Sequence, residues 1–361
     1  MTWFYRSTKI HRIQTNNEDI FLKSKSIFII AALLSLVIAI AGVFYWKREQ
    51  DRQWRWAKIV MPERLARVPE EWSASTLGKR LLATKKIRDA ATFQEAAAQA
   101  GLKTVPVGGY ELPKEAGPDD LAKIFARGPS HQKLTFPEGW TVAQMSTRLA
   151  KNGFVSGTQL RTLAYPAAQQ VSPLEGKLFP DTYWLKLKAS APQLASRLRE
   201  KHDEIVAGLP LPFPKAYNDK RLTLNEVVIL ASLVERETDI HSERALVAGV
   251  LLKRLRDRMR LQCDASVQYA LQRAALARGD ETHQVPLRKD YKFPSPYNTY
   301  LNYGLPPAPI CNPGRDSLEA AARPKATEYL FYVWSPKWKR HRFAKTFSEH
   351  KRNIALARSE E

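Results

Sequence analysis

Two glutamates, Glu235 and Glu237, stand where an apolar stretch with helical spacing comes to an end. Within residues 225–238 the apolar side chains, beginning with Val227 and Leu230, recur at the intervals of one helix face. A carboxyl group at the end of a buried stripe can act as a general acid or base, because partial burial raises its pKa. The competing interpretation is an amphipathic helix whose glutamates face solvent.

The spacing of the two glutamates means that they cannot both serve one cleft. Residues two apart on a helix point about 200° away from each other. Glu235 and Glu237 each lie roughly 80° from the centre of the apolar stripe, on opposite sides of it. Helical geometry alone therefore leaves open which glutamate performs chemistry.

The composition narrows the classes of partner and site. The chain has 361 residues, enough for two modest domains. Its net charge of +21 favours an anionic partner, such as nucleic acid, acidic lipid or a polyanionic matrix, without choosing among them. Two cysteines, Cys263 and Cys311, exclude a disulfide framework, and the absence of CxxC and HExxH motifs predicts no metal site.

An uncharged apolar segment, residues 27–46, is about 20 residues long and predicts a transmembrane helix. Tyr45 and Trp46, followed by basic residues, are typical of its end at a membrane interface. The alternative is a cleaved signal peptide, because residues 39–41 (AIA) have the form of a cleavage site, although the apolar run continues past them. Basic residues flank both ends of the segment, so their distribution does not fix its orientation.

Short helices and strands follow the apolar segment and predict an α+β fold class. We expect a stalk as far as residue 71, two short helices within residues 73–100, and a strand followed by a helix. That strand–helix order repeats at residues 133–154, which indicates small α/β modules. The remainder is predicted to be a mixed α+β domain around the helix that carries the two glutamates.

The second half of the chain contains a further helix and a long loop. Residues 242–259 are apolar over most of a helical circumference, which predicts a buried helix. Residues 297–314 form a loop rich in Pro, Gly and Asn, and a loop of about 18 residues in a compact domain usually has a function. The helix pair joined near residue 240 could also belong to a helix-turn-helix DNA-binding regulator, but a buried second helix argues against that class.

Six segments in sequence order resemble the signature segments of the YceG-like family of endolytic murein transglycosylases. They are LEGKLFPDTY (174–183), ASLVERET (231–238), LRDRMRLQCD (255–264), YNTY (297–300) with GLPP (304–307), and NPG (312–314) followed by Ser317 and Leu318. The resemblance covers the chain from about residue 107 onward. One departure is Cys263, where the family usually has Thr.

The resemblance implies an organisation and an activity. It implies a cytoplasmic segment (1–26), a transmembrane helix (27–46), a stalk with a LysM-like module (47–133) and a YceG-like catalytic domain (134–361). The protein would lie in the bacterial inner membrane with the C-terminal domain in the periplasm. It would cleave the MurNAc-GlcNAc bond within nascent peptidoglycan strands, leave 1,6-anhydro-MurNAc ends and so terminate elongation. Expected partners are glycan strands, the membrane and peptidoglycan synthases (penicillin-binding proteins), with no nucleic acid and no cofactor.

A lytic transglycosylase needs one carboxyl group, because the C6 hydroxyl of the substrate supplies the nucleophile that a hydrolase takes from water. By resemblance the catalytic residue is Glu237, and Glu235 is structural or forms a salt bridge. The resemblance also implies a set of substrate-binding residues, for which capping and turn formation is the alternative interpretation: Gln262, Asp264, Tyr297, Asn298 and Tyr300.

Other readings stay open at this point. Glu175 and Asp181 flank a Phe-Pro turn and are expected to be structural, with a second catalytic acid as the alternative. The basic residues between 253 and 260 are expected to form a solvated face. A noncatalytic, membrane-tethered peptidoglycan-binding scaffold would keep the small modules and the long loop without needing Glu237.

Overall fold

A computed structural model describes residues 17–61, 63–166, 170–280 and 287–360, and it divides the chain into two compact units between Gly128 and Pro129. The fold is mixed α+β with one apolar helix near the N-terminus, as the sequence predicts. Most of the predicted cytoplasmic segment, residues 1–16, lies outside the described part of the chain.

The first unit begins with a long helix, α1 (Asn17–Trp56). Its part Ile30–Trp56 contains an 18-residue stretch with a mean hydropathy of 2.0 that is exposed, and this part is long and apolar enough to cross a membrane. Helix α1 is ten residues longer than the predicted span at each end. At the C-terminal end the polar residues from Lys47 to Trp56 continue the helix.

A small α/β core follows α1. Its elements are β1 (Ile59–Val60), β2 (Leu65–Val68), β3 (Trp72–Ser73), α2 (Ala74–Ala83), α3 (Ala90–Gln99), β4 (Thr104–Val105), β5 (Gly108–Glu111), β6 (Glu115–Ala116) and α4 (Pro118–Ala126). The strands pair antiparallel, β1 with β6, β2 with β5 and β3 with β4. Phe93, Tyr110 and Phe125 are buried at the centre, and the last two rings lie 4.6 Å apart.

The second unit contains the predicted glutamate helix. Its elements are β7 (His131–Thr135), α5 (Val142–Lys151), α6 (Ser156–Ala164), β8 (Thr182–Lys186), α7 (Ala191–Ala207), α8 (Leu224–Glu237), α9 (His241–Arg256), α10 (Asp264–Ala277), α11 (Arg315–Ala322), β9 (Phe331–Ser335), β10 (Arg340–Ala344) and α12 (Phe347–Arg358). The strand β7 pairs with β8, and β9 forms an antiparallel hairpin with β10.

Helix α8 forms the centre of the second unit. It begins at a capping box, in which the Thr223 hydroxyl accepts the Glu226 amide and the Glu226 carboxylate accepts the Thr223 amide and hydroxyl. Every residue from Val227 to Glu235 is buried, so the helix is enclosed on all sides by the core. The apolar face predicted from the sequence is therefore only part of the surface that α8 buries.

Helix α9 is buried beside α8 and α11, which is inconsistent with a recognition helix for DNA. Gly249 marks the closest approach: a Cβ built on it would lie 2.0 Å from the backbone oxygen of Lys325. The amide of Lys325 in turn donates to the carbonyl of Ala245. The segment after α11 therefore lies directly on the α9 backbone.

Candidate active site

A cleft of about 330 Å³ opens where α8 ends. Two successive residues of α8 line it, together with the N-terminus of α10, the long loop, the β9 strand and α12. Its lining residues are Arg236, Glu237, Arg254, Leu261, Gln262, Asp264, Ala265, Tyr300, Phe331, Tyr332, Phe347 and His350.

Glu237 is half-buried in this cleft and is its most perturbed carboxyl group. The Tyr332 hydroxyl donates a hydrogen bond to Glu237 Oε2 at 2.8 Å. Burial raises the pKa of Glu237 to about 7, and the charge of Asp264 acts in the same direction. Hydrogen bonds from Tyr332 and Cys263 and the charge of Arg254 oppose this shift. Glu237 can therefore hold or release a proton near neutral pH.

Arg254 stands beside Glu237 but is held by backbone carbonyl groups. Its Nε donates to the Leu330 carbonyl at 2.6 Å and its Nη1 to the Leu261 carbonyl at 2.7 Å. Its guanidinium also lies 5.2 Å from the centre of the Phe331 ring. These contacts fix a positive charge at the cleft without neutralising it.

Asp264 begins α10 and anchors two stacked tyrosines. Its carboxylate accepts a hydrogen bond from the Tyr300 hydroxyl and another, at 3.2 Å, from the Tyr291 hydroxyl. The two rings stack with centroids 4.2 Å apart and an interplanar angle of 7°. Burial raises the pKa of Tyr300, and Asp264 raises it further. Tyr300 therefore stays a neutral donor.

Gln262 occupies a left-handed backbone conformation, with φ at 53°. Its neighbours Leu261 and Cys263 are buried, whereas Gln262 is exposed in the cleft. The backbone amide of Gln262 donates a hydrogen bond to the Thr299 carbonyl, and the backbone amide of Cys263 donates one to the Thr299 hydroxyl. A non-glycine residue held in this conformation is a strain that the surroundings must support, and such strain is often found at functional sites.

Tyr297 and Asn298, which the resemblance implies to bind substrate, do not line the cleft. Tyr297 is buried, with its ring edge-on to Tyr269 at 4.9 Å. The Asn298 side chain is fully buried and donates to the carbonyls of Tyr291 and Phe293, while its oxygen accepts the Tyr300 amide. Asn298 thus shapes the loop that presents Tyr300, which is the turn chemistry of the alternative interpretation.

Glu235 points away from Glu237, and each of its carboxylate oxygens accepts a hydrogen bond from within the fold. Its Oε1 accepts from Arg244 Nη2 at 3.2 Å, and its Oε2 accepts the Gly314 amide at 3.0 Å. Both charged side chains are only 5% exposed. The pair joins the end of α8 to α9 and to the loop before α11.

Glu175 lies at the centre of a second buried hydrogen-bond network. Its carboxylate accepts the Val142 amide, the hydroxyls of Tyr165 and Tyr269, and the Asn312 amide. Burial raises the pKa of Glu175 to about 7, although the donors oppose the shift. Glu175 does not line the cleft, and the exposed Asp181 accepts the Thr182 amide in a turn. Both are placed as structural residues, as the sequence predicts.

The wall of the cleft formed by the β9–β10 hairpin and α12 could not be predicted from the sequence. Arg254 was expected only as part of a solvated basic face, and neither Tyr332 nor α12 was linked to the site. His350 stacks on Phe331 at 5.1 Å, and its pKa is lowered first by burial and then by Arg254. No local signal marks these side chains, because they meet Glu237 only through long-range folding.

Within the described ranges no group of three or more His, Cys, Asp or Glu side chains could hold a metal ion. The cleft instead offers one carboxyl group that titrates near neutrality, a second carboxylate occupied by tyrosines, and several donors. This arrangement suits proton transfer to a leaving oxygen.

The comparison with known proteins agrees with the resemblance read from the sequence. The model of the YceG-like family matches residues 66–356. A protein of Streptococcus pneumoniae (strain D39 / NCTC 7466) named endolytic murein transglycosylase is 27% identical over 325 residues, 80% of this chain. The chain spans 57% of that relative's length. A Bacillus subtilis protein of the same name is 27% identical over 306 residues, 78% of this chain and 81% of its own length.

A crystal structure of a yceG-like protein from Listeria monocytogenes has the same fold. It superposes with a TM-score of 0.52 at 28% sequence identity, and the match covers 82% of this chain and 99% of that chain.

Proposed function

Because this chain belongs to the YceG-like family, we propose that it is a membrane-anchored lytic transglycosylase that cleaves the MurNAc-GlcNAc bond within nascent peptidoglycan strands. The names of its relatives support this activity, and the observation that carries it is the half-buried Glu237 with a pKa of about 7.

One carboxyl group is sufficient for the reaction. Protonated Glu237 gives its proton to the glycosidic oxygen as the bond from C1 of MurNAc to that oxygen breaks. The C6 hydroxyl oxygen of the same sugar then bonds to C1, and its proton passes to the Glu237 carboxylate. The products are a 1,6-anhydro-MurNAc end and a new GlcNAc hydroxyl, and Glu237 regains the proton that it donated.

We assign substrate contact to the predicted residues that reach the cleft. Gln262, Asp264 and Tyr300 would hydrogen-bond sugar hydroxyl and N-acetyl groups, and the tyrosine face would lie against a sugar ring. Arg254 would stabilise negative charge that develops on Glu237 and the leaving oxygen. Tyr297 and Asn298 would act indirectly, by holding the loop that carries Tyr300.

The cellular setting is part of the same proposal. The apolar part of α1 would anchor the protein in the inner membrane, with residues 47–133 as a stalk and LysM-like module and residues 134–361 as the catalytic domain, both on the periplasmic side. There the enzyme would reach strands as they leave the penicillin-binding proteins, and a cut would terminate their elongation.

The decisive experiment compares the full chain in detergent with two matched variants, Glu237→Gln and Glu235→Gln, on purified peptidoglycan. Mass spectrometry of the products should show 1,6-anhydro ends for the parent, at least 100-fold fewer for Glu237→Gln, and activity retained by Glu235→Gln as far as it folds. Melting curves separate loss of chemistry from loss of folding. Equal release by the parent and Glu237→Gln would refute the assignment.

A hydrolase is the second candidate, because Asp264 is another carboxylate in the same cleft. It would activate water and leave ordinary reducing ends. The two tyrosine hydrogen bonds disfavour this role, since each oxygen of the Asp264 carboxylate already accepts one of them and is held toward the tyrosines. Reducing ends in the same spectra, lost in Asp264→Asn, would favour the hydrolase.

A further inference from the structure

A second groove lies in the same unit, apart from the cleft, and the proposed reaction does not use it. It is formed by α5, the residue before that helix's cap, and the C-terminal half of α10, and it has a volume of about 540 Å³. Its lining residues are Trp140, Ala143, Gln144, Thr147, Arg148, Lys151, Asn152, Gln272 and Leu276.

The chemistry of this groove favours a carboxylate ligand. The Arg148 guanidinium lies 5.6 Å from the centre of the Trp140 ring, and its buried Nε has no hydrogen-bond partner. A buried donor without a partner is costly, and a carboxylate is the partner that a guanidinium bonds best. Lys151 adds a second, exposed positive charge, and none of the described residues lining the groove is acidic.

The framework of the groove is rigid before any ligand binds. The Trp140 carbonyl accepts the backbone amide and the side-chain amide of Asn312, both at 2.9 Å. A capping box between Thr141 and Gln144 fixes the start of α5. The indole face and the guanidinium are therefore presented by anchored backbone.

The groove is connected to the cleft along α10. Asp264, which lines the cleft, Gln268, and Gln272, which lines the groove, follow one another at intervals of about one turn, so the two sites are roughly 12 Å apart along the helix. Between them, Arg236 of the cleft donates to Gln268 at 2.9 Å. A strand that extends from the cleft along α10 would reach the groove.

We propose that this groove binds the acidic stem peptide carried by a muramic residue near the cut, so that the enzyme prefers peptide-bearing strands to bare glycan. The inference rests on the proposed function and extends it to the substrate class. The Arg148 guanidinium receives a peptide carboxylate, Lys151 adds charge, and the face of Trp140 and the Gln272 amide contact the peptide backbone.

The test compares strands that keep their stem peptides with strands stripped of them by an amidase. For the full chain in detergent, kcat/KM should be about tenfold higher on peptide-bearing strands. The double variant Arg148→Ala/Lys151→Ala should lose that preference while matching the parent on bare strands. The control Arg197→Ala/Lys201→Ala removes an exposed and a partly exposed charge from α7, outside the groove, and should keep the preference.

Binding of the free stem peptide to Glu237→Gln protein provides a readout that is independent of cleavage. It should be salt-dependent and abolished by Arg148→Ala. Equal cleavage of both strands by the parent would overturn the groove assignment and leave the proposed function intact, as would a preference that survives in the double variant. If no strand is cut, the proposed function fails, and peptide binding that depends on Arg148 decides whether the groove is a peptide site.

Discussion

Glu237 is subject to opposing influences on its protonation. Burial favours the neutral acid, whereas the Tyr332 hydrogen bond and the Arg254 charge favour the carboxylate, and the resulting pKa is about 7. A group that must first give a proton and then take one back works best when its pKa lies near the working pH.

The proposed role of Glu237 predicts the pH profile of the enzyme. Because Glu237 starts the proposed reaction in its protonated form, kcat should fall about tenfold per pH unit above a pKa of about 7. The rate of release of anhydro ends, measured from pH 5 to 9 in constant ionic strength, checks this. A flat profile up to pH 9 would contradict the role of Glu237 as the acid.

The second prediction concerns Tyr332. In Tyr332→Phe the carboxylate loses a hydrogen bond that favours its charged form, so the pKa of Glu237 should rise and the alkaline limb should move up by roughly 0.7 pH unit. Tyr329→Phe, three residues earlier with its ring against Phe343, is the matched control and should leave the limb in place. A downward shift would show that Tyr332 acts otherwise.

Glu175 leads to a prediction about stability. Its pKa is raised to about 7 in the folded protein, so as pH rises from about 4.5 to 7 the unfolded chain releases this proton first. The group therefore stabilises the folded state at low pH, and roughly 3 kcal/mol of that contribution is lost by neutral pH.

Glu175→Gln should be less stable than the parent at pH 5. Its amide oxygen can keep the donors of Val142 and Asn312, but its NH2 group then faces the hydroxyls of Tyr165 and Tyr269, which donate to the carboxyl group in the parent. The difference in Tm should then narrow between pH 5 and 8, since only the parent loses the proton's contribution. Thermal melts over that range measure it, with the exposed Glu200→Gln as control. A gap that widens with pH would contradict the raised pKa.

At the scale of elements, α8 shows what sequence can and cannot predict. The capping Thr223, the apolar periodicity and the divergence of Glu235 from Glu237 were all local, and the helix and its two-sided geometry follow from them. Which glutamate faces a cleft is not a local property, because Tyr332, the partner of Glu237, lies 95 residues further along the chain. The basic sequence of β10 likewise shows no pattern typical of a strand, since only Ala344 among its five residues is fully buried.

The same limit applies to the site residues. Of the residues that the resemblance implies to bind substrate, Gln262, Asp264 and Tyr300 line one cleft, whereas Tyr297 and Asn298 turn inward. The direction of each side chain in an irregular loop depends on backbone angles and on long-range contacts, such as those of Asn298 with the carbonyls of Tyr291 and Phe293, which the sequence does not reveal.

Gly249 gives a prediction for the packing of α9. A helical Gly→Ala exchange normally stabilises by up to about 1 kcal/mol, but here the new Cβ would lie 2.0 Å from the Lys325 oxygen. Gly249→Ala should therefore lower Tm by several degrees. Gly42→Ala, in α1 with nothing within 4 Å of the new Cβ, should not. Equal melting of both variants would contradict this close contact.

For the whole molecule, the predicted anchor can be tested directly. Leu36→Arg/Ile40→Arg places two charges in the exposed apolar part of α1, at a cost of roughly 3 kcal/mol each at a membrane centre. The variant should be released by alkaline carbonate, while the parent and Trp54→Arg, which lies beyond the apolar segment, stay in the membrane pellet. Retention of the double variant would rule out a single anchor in α1.

The hydrogen bond between Glu237 and Tyr332 can form only late in the synthesis of the chain. The two residues are 95 positions apart, so at 5–20 residues per second the glutamate leaves the ribosome roughly 5–20 s before its partner. During that interval neither the hairpin nor α12 covers the carboxyl group, and its acidity is that of an ordinary glutamate. The cleft is therefore incomplete in a growing chain, and under the proposed function activity would start only when the hairpin and α12 fold into place.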